Sequence, residues 1–220
     1  MGVLPVSVYF DFTCPYAYIA MTRLPQIEET LGRAVTLKPV LLGGLFHALE
    51  QPQNMSTTLS PQKAENNRKE VVRWASWYNT PINTPLRHPN RSVLALRVLL
   101  ATPKEAWRKV IAAFYAVYWV ESADISDAEV LGARLTALGL DAAQILKRAG
   151  TAEVKDALRQ QTKTAFELGV FGVPTIQVGD ALFWGQDRVD MALSAAEGWT
   201  ANAENLANFS FNQTKNEPTS

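Results

Sequence analysis

Apolar and polar positions alternate along this chain in three regimes. The run Val6-Ser7-Val8-Tyr9-Phe10 is short, apolar and rich in β-branched and aromatic residues, so it predicts a strand. A helical period follows, with Tyr18, Ile19, Leu24 and Ile27 on one face and Gly32 near its close. Val35 to Leu42 is again apolar, broken by Lys38 and Pro39, and predicts a second strand that Pro39 confines to a sheet edge or ends early. The chain opens β-α-β.

From Ser60 to about Leu168 the period is helical. Ser60-Pro61 pairs an N-cap with proline at the first helical position. Thr102-Pro103-Lys104-Glu105 and Ser126-Asp127-Ala128-Glu129 fit the capping box, and Asp141-Ala142-Ala143-Gln144 resembles it. Trp107, Ile111, Phe114, Tyr118 and Trp119 recur at helical spacing, the signature of a core stripe rather than a cofactor box. The pattern then returns to β: Thr175 to Val178, a Gly179-Asp180 turn and Ala181 to Trp184 predict a hairpin, and Gly185-Gln186-Asp187 opens a last helix. After Trp199 the chain is polar, rich in Asn and aperiodic.

The order β-α-β, a helical block of about 120 residues, then β-β-α predicts an α/β fold, a thioredoxin-like mixed sheet with a large all-helical insertion. On this reading residues 1–43 and 169–200 form one discontinuous domain, 44–168 the insertion, and 201–220 a flexible tail.

Composition narrows the chemistry. The 220 residues are 47% hydrophobic, enough for a substantial core. Basic and acidic residues number 21 each, so no charge footprint for nucleic acid or an anionic membrane is visible. One cysteine forbids an intrachain disulfide, and two distant histidines, His47 and His88, do not suggest a metal site. The first residues lack a basic region and a long apolar core, and no apolar stretch approaches the ~18 residues of a membrane span. The expected compartment is the cytoplasm.

The single cysteine stands where the first strand turns into a helix, in Cys14-Pro15-Tyr16-Ala17. There the helix dipole and unpaired N–H groups favour an anion, so the thiol pKa is expected below its reference of about 8.5. The competing reading is a buried, inert cysteine.

Three segments, "YFDFTCPYAYIA", "HPNRSVLALR" and "LGVFGVPTIQVGDALFWGQDRVD", resemble in the same order the DsbA-like branch of the thioredoxin fold, and within it the 2-hydroxychromene-2-carboxylate isomerases and kappa-class glutathione transferases. The likeness runs from about Val6 to Gly198. One departure matters: the isomerases usually carry Ser-Pro-Tyr or Ser-Pro-Phe, and the disulfide oxidoreductases Cys-Pro-x-Cys. This chain keeps the first cysteine but has Ala17 at the resolving position, so it cannot cycle an internal disulfide.

The resemblance implies reduced glutathione as cofactor, a small aromatic carboxylate as substrate and a homodimer. It makes Cys14 catalytic, beside Pro15 and Tyr16. It implies a cis Val173-Pro174 bond whose backbone meets the cysteinyl part of glutathione. Gln186 and Asp187 fall to the γ-glutamyl end, though Asp187 could instead only offset its own helix dipole. Lys63 would meet the glycyl carboxylate, or is a solvated lysine. Asn54 joins the glutathione side less firmly. Asn90 and Arg97 match the substrate-side segment, while Arg97 could instead bridge the helical block to the sheet. The implied activity is glutathione-dependent isomerisation of 2-hydroxychromene-2-carboxylate and trans-o-hydroxybenzylidenepyruvate or a similar conjugated acid. Kappa-type transfer or monothiol exchange is the alternative enzyme, and a non-catalytic binding module the alternative from another class.

Overall fold

The structure, a computed structural model, describes residues 4–52 and 58–209. Four strands form one mixed sheet in the order β2-β1-β3-β4. β1 (Val6–Phe10) is central; β2 (Thr36–Pro39) runs parallel to it and β3 (Thr175–Val178) antiparallel, followed by β4 (Ala181–Trp184). Pro39 thus sits on an edge strand, as its missing N–H requires. Gly179, at φ 56°, makes the turn between the antiparallel β3 and β4.

The first helical period is two helices, α1 (Pro15–Thr22) and α2 (Leu24–Leu31), ended by Gly32 at φ 63°. Arg23, at the break, pairs with Asp190 at 2.9 Å and lies over the Tyr78 ring. Among the described residues seven α-helices separate β2 from β3: α3 (Leu42–Ala48), α4 (Pro61–Trp77), α5 (Val93–Ala101), α6 (Trp107–Trp119), α7 (Ala128–Ala137), α8 (Ala142–Ala149) and α9 (Ala152–Glu167). A 3-10 turn, Gln186–Arg188, leads into α10 (Val189–Ala196).

Ser60 and Asp141 cap α4 and α8 as expected, accepting from the N–H groups of Lys63 and Gln144. The other two boxes fail for identifiable reasons. Thr102 ends α5 and turns its hydroxyl back to the Val98 carbonyl, while its own carbonyl takes the buried Trp107 indole N–H at 3.1 Å. Asp127, one residue beyond Ser126, caps α7, while the Ser126 hydroxyl donates to Asp124. The polar C-terminal stretch is helical over α11 (Ala203–Asn208), capped by Asn202, where aperiodicity predicted no element.

The aromatic stripe of α6 is core, as its spacing predicts: Phe114 and Tyr118 are fully buried and Trp107, Ile111 and Trp119 nearly so. Phe12 packs edge-on against Phe114 and Tyr115, with ring centres 5.7 and 5.1 Å apart. Burying a side chain such as Phe114 is worth roughly 1.5–3 kcal/mol. This packing fixes the loop after β1 against the helical block. Among the described residues no helix is long and apolar enough to cross a membrane, and no group of three His, Cys, Asp or Glu could hold a metal ion.

Candidate active site

Cys14 occupies the N-cap of α1 in extended backbone, with Pro15 at the first helical position. Two polar tips from α6 hold the loop before it: Tyr115 donates its hydroxyl to the Asp11 carbonyl at 3.2 Å, and Trp119 its indole N–H to the Phe12 carbonyl at 2.9 Å. The stripe read as packing therefore also positions the cysteine.

Cys14 is only 8% exposed, and its sulfur donates to the Val173 carbonyl at 3.1 Å. The Val173-Pro174 bond is cis, as the resemblance implies; His88-Pro89, not anticipated, is cis as well. The expected low thiol pKa is wrong. Burial pushes the Cys14 thiol from 9.0 up to about 12, against the Ala17 and Tyr16 N–H groups that favour the thiolate, with the Asp11 charge adding to the rise. Neither amide closes a capping hydrogen bond to the side chain. Desolvation outweighs the helix start, and the thiol keeps its proton at neutral pH.

Asp11 is the residue sequence reasoning passed over. Its carboxylate is wholly buried. One oxygen accepts from the Thr13 N–H and hydroxyl at 2.9 and 3.0 Å, the other from the Leu42 N–H and the Ser92 hydroxyl at 2.9 and 2.8 Å. It thereby pins the loop before Cys14 to the starts of α3 and α5. Burial raises its pKa, with the four hydrogen bonds acting against that rise. The available signal was Asp11-Phe12-Thr13, an aspartate able to bond its own backbone two residues on.

A second segment is tied to the first. The Pro174 carbonyl accepts from the Gly185 N–H at 2.9 Å, and Gly185, at φ 115°, turns the chain into Gln186-Asp187-Arg188, which packs on α1. Gln186 is 2% exposed, and its Oε1 has no hydrogen-bond partner among the described residues. Asp187 is exposed and bonds Arg188 at 2.7 Å. At Gly172 a Cβ would come within 2.7 Å of the Trp184 indole nitrogen, so any larger residue there would have to displace that half-exposed ring.

Tyr16 reaches the α4 side of the site, its hydroxyl donating to the Asn67 side-chain oxygen at 2.7 Å. Burial, then the negative charges of Cys14, Glu70 and Asp187, push its pKa up to about 12. Lys63 is exposed one helical turn before Asn67. Asn54 lies outside the described residues. Neither Asn90 nor Arg97 bonds Cys14 or Val173 among the described residues. Asn90 donates to Asp124 at 2.6 Å and its backbone N–H to the Tyr118 hydroxyl, which also bonds His88. Arg97 lines a cavity between α3, α5 and α9 that Cys14 does not line.

The family model of the DSBA-like thioredoxin domain matches residues 5–197. The 2-hydroxychromene-2-carboxylate isomerase of Pseudomonas putida is 29% identical over 193 residues, covering 86% of this chain and 93% of the relative. Glutathione S-transferase kappa 1 of Rattus norvegicus is 24% identical over 217 residues, covering 90% and 95%. A solved 2-hydroxychromene-2-carboxylate isomerase superposes with a TM-score of 0.79 at 26% identity, over 88% of this chain and 95% of that one. With a buried thiol at a helix start, a cis-proline carbonyl against it and this coverage, the chain belongs to the DSBA-like thioredoxin-domain family, alongside its 2-hydroxychromene-2-carboxylate isomerases and kappa-class glutathione transferases.

Proposed function

We propose that this chain catalyses the glutathione-dependent interconversion of 2-hydroxychromene-2-carboxylate and trans-o-hydroxybenzylidenepyruvate, or of a similar conjugated aromatic acid. The observation that carries this reading is the convergence of Cys14, the Val173-Pro174 backbone and the Gln186-Asp187 turn, joined by the Cys14-to-Val173 and Gly185-to-Pro174 hydrogen bonds.

These residues fit a tripeptide thiol. The orphaned Oε1 of Gln186 is a buried acceptor that a ligand N–H would satisfy. Gln186 and Asp187 would hold the γ-glutamyl end, Val173 the cysteinyl backbone and Lys63 the glycyl carboxylate. Bound glutathione would supply the thiolate that adds reversibly to the conjugated acid.

The chain's own groups act as proton holders. Cys14, kept as the thiol, would turn its single S–H from the Val173 carbonyl to a neighbouring sulfur anion, and the first-turn N–H groups of α1 add positive potential there. Tyr16, also protonated at neutral pH, gives its hydroxyl proton to Asn67 and borders the site on the α4 side. A thiol at about 12 is a poor attacking group, which weighs against monothiol exchange through Cys14.

Kappa-type conjugation is the second reading, favoured by the kappa relatives. One experiment separates the two: absorbance is followed while the protein acts on 2-hydroxychromene-2-carboxylate with and without reduced glutathione, and free thiol is titrated at the end. Isomerisation requires glutathione and leaves its amount unchanged. Turnover without glutathione, or none with it, overturns the proposal, and consumption of glutathione transfers the assignment to conjugation.

A further inference from the structure

A cavity of about 370 Å³ opens between α3, α5 and α9. Its volume suits a small molecule. The helical period of α9 builds one wall from two stripes. Leu158, Thr162 and Phe166 recur every fourth residue and present an apolar surface, facing Leu41 and Val93. Lys155, Arg159 and Lys163 recur at the same interval beside them and form a basic rim.

Arg97 of α5 completes the rim. It is partly buried, its Nε is enclosed without a hydrogen-bond partner, and no carboxylate among the described residues pairs with it. Lys155 likewise has no ion pair among the described residues, whereas Arg159 and Lys163 make exposed pairs with Asp156 and Glu167 on their own helix. No acidic side chain lines the cavity. A partly buried guanidinium beside an apolar wall, rimmed by three further cations and with no carboxylate lining the cavity, is complementary to one carboxylate carrying an apolar body. A polyanion fits poorly, because the chain as a whole carries no net charge and the wall itself is apolar.

We propose that this groove is a binding site for a small apolar monocarboxylate, with Arg97 holding the carboxylate and Leu41, Leu158 and Phe166 the body. None of the residues proposed above to hold glutathione lines this groove, so the proposal is independent of the glutathione reading and its test needs no thiol.

The test titrates the full chain with octanoate and follows backbone amides by NMR. Saturable shifts at Val93, Ala48 and Leu158 are expected at millimolar octanoate, with little response to octylammonium or octanol at equal concentration. Arg97→Gln should weaken octanoate by about 10-fold or more, and Lys155→Glu by about 3-fold or more. Lys155 is exposed, so its variant decides the matter if Arg97→Gln does not fold. No saturable shift up to about 10 mM, equal shifts with octylammonium, or unchanged affinity in the folded variants would overturn the proposal.

Discussion

The two ends of the candidate site are built in opposite ways. At the sulfur end, Cys14, Asp11 and Val173 are buried, and their polar groups are tied to β1, α3, α5 and α6. At the other end, Lys63 and Asp187 are exposed on a helix and a turn, and Asp187 already spends its charge on Arg188. The closed end is preorganised by the core and tolerates little change; the open end is shaped by solvent-screened contacts and tolerates more. On the proposed reading, chemistry belongs at the first and affinity at the second.

The largest effect is expected at Asp11. Asp11→Ala would leave the Leu42 and Thr13 N–H groups and the Ser92 hydroxyl facing a void, a loss of roughly 3 kcal/mol or more. Denaturant unfolding measures it. A midpoint equal to wild type would mean that the closed end is not held as described.

Cys14 comes next. If its S–H is a positioned donor, Cys14→Ala should lower kcat/KM for isomerisation about 100-fold, while Cys14→Ser, which keeps a hydroxyl donor, should stay within about 10-fold. Equal loss in both variants would contradict the donor role.

Asp187→Ala should act through binding alone. A charge-assisted contact at an exposed position is worth about 1 kcal/mol after screening, so the Michaelis constant for glutathione should rise about 5-fold with kcat preserved. A drop in melting temperature without that rise would make Asp187 a partner of its own helix only. The smallest change is expected on the open side at Trp77, which is 77% exposed on α4: Trp77→Ala should shift stability by less than about 0.5 kcal/mol. Since Ala75 is the only buried residue among Pro61–Trp77, a larger loss would show that α4 is anchored more firmly than its contacts indicate.

Sequence reasoning reached whatever local chemistry decides. Pro15 after Cys14 marks a helix start, Gly179-Asp180 a hairpin, Pro39 an edge strand, and the spacing of Trp107 to Trp119 a core face. It went wrong where distant chain decides. The Cys14 pKa was read from the helix start alone, but Phe12, Tyr115 and Val173, up to 159 residues away, remove the water that a thiolate would need. Thr102 looks like a capping residue until Trp107 claims its carbonyl. Asp11 looks like the polar end of a strand until Leu42 and Ser92 close around it.

The central claim is that Cys14 is a protonated donor and not the nucleophile. Its sign is explicit: the folded thiol pKa, about 12, lies above the ordinary 9.0, so folding holds this proton. The stability that goes with it is complete below about pH 9 and is lost as pH rises towards 12. The direct measurement is the rate of iodoacetamide labelling of Cys14 against pH on the folded chain, followed by intact mass, with glutathione absent. Labelling that stays slow through neutral pH and rises only above about pH 9 is the predicted result. A labelling midpoint below about 8.5 would make Cys14 a thiolate under working conditions and contradict the account.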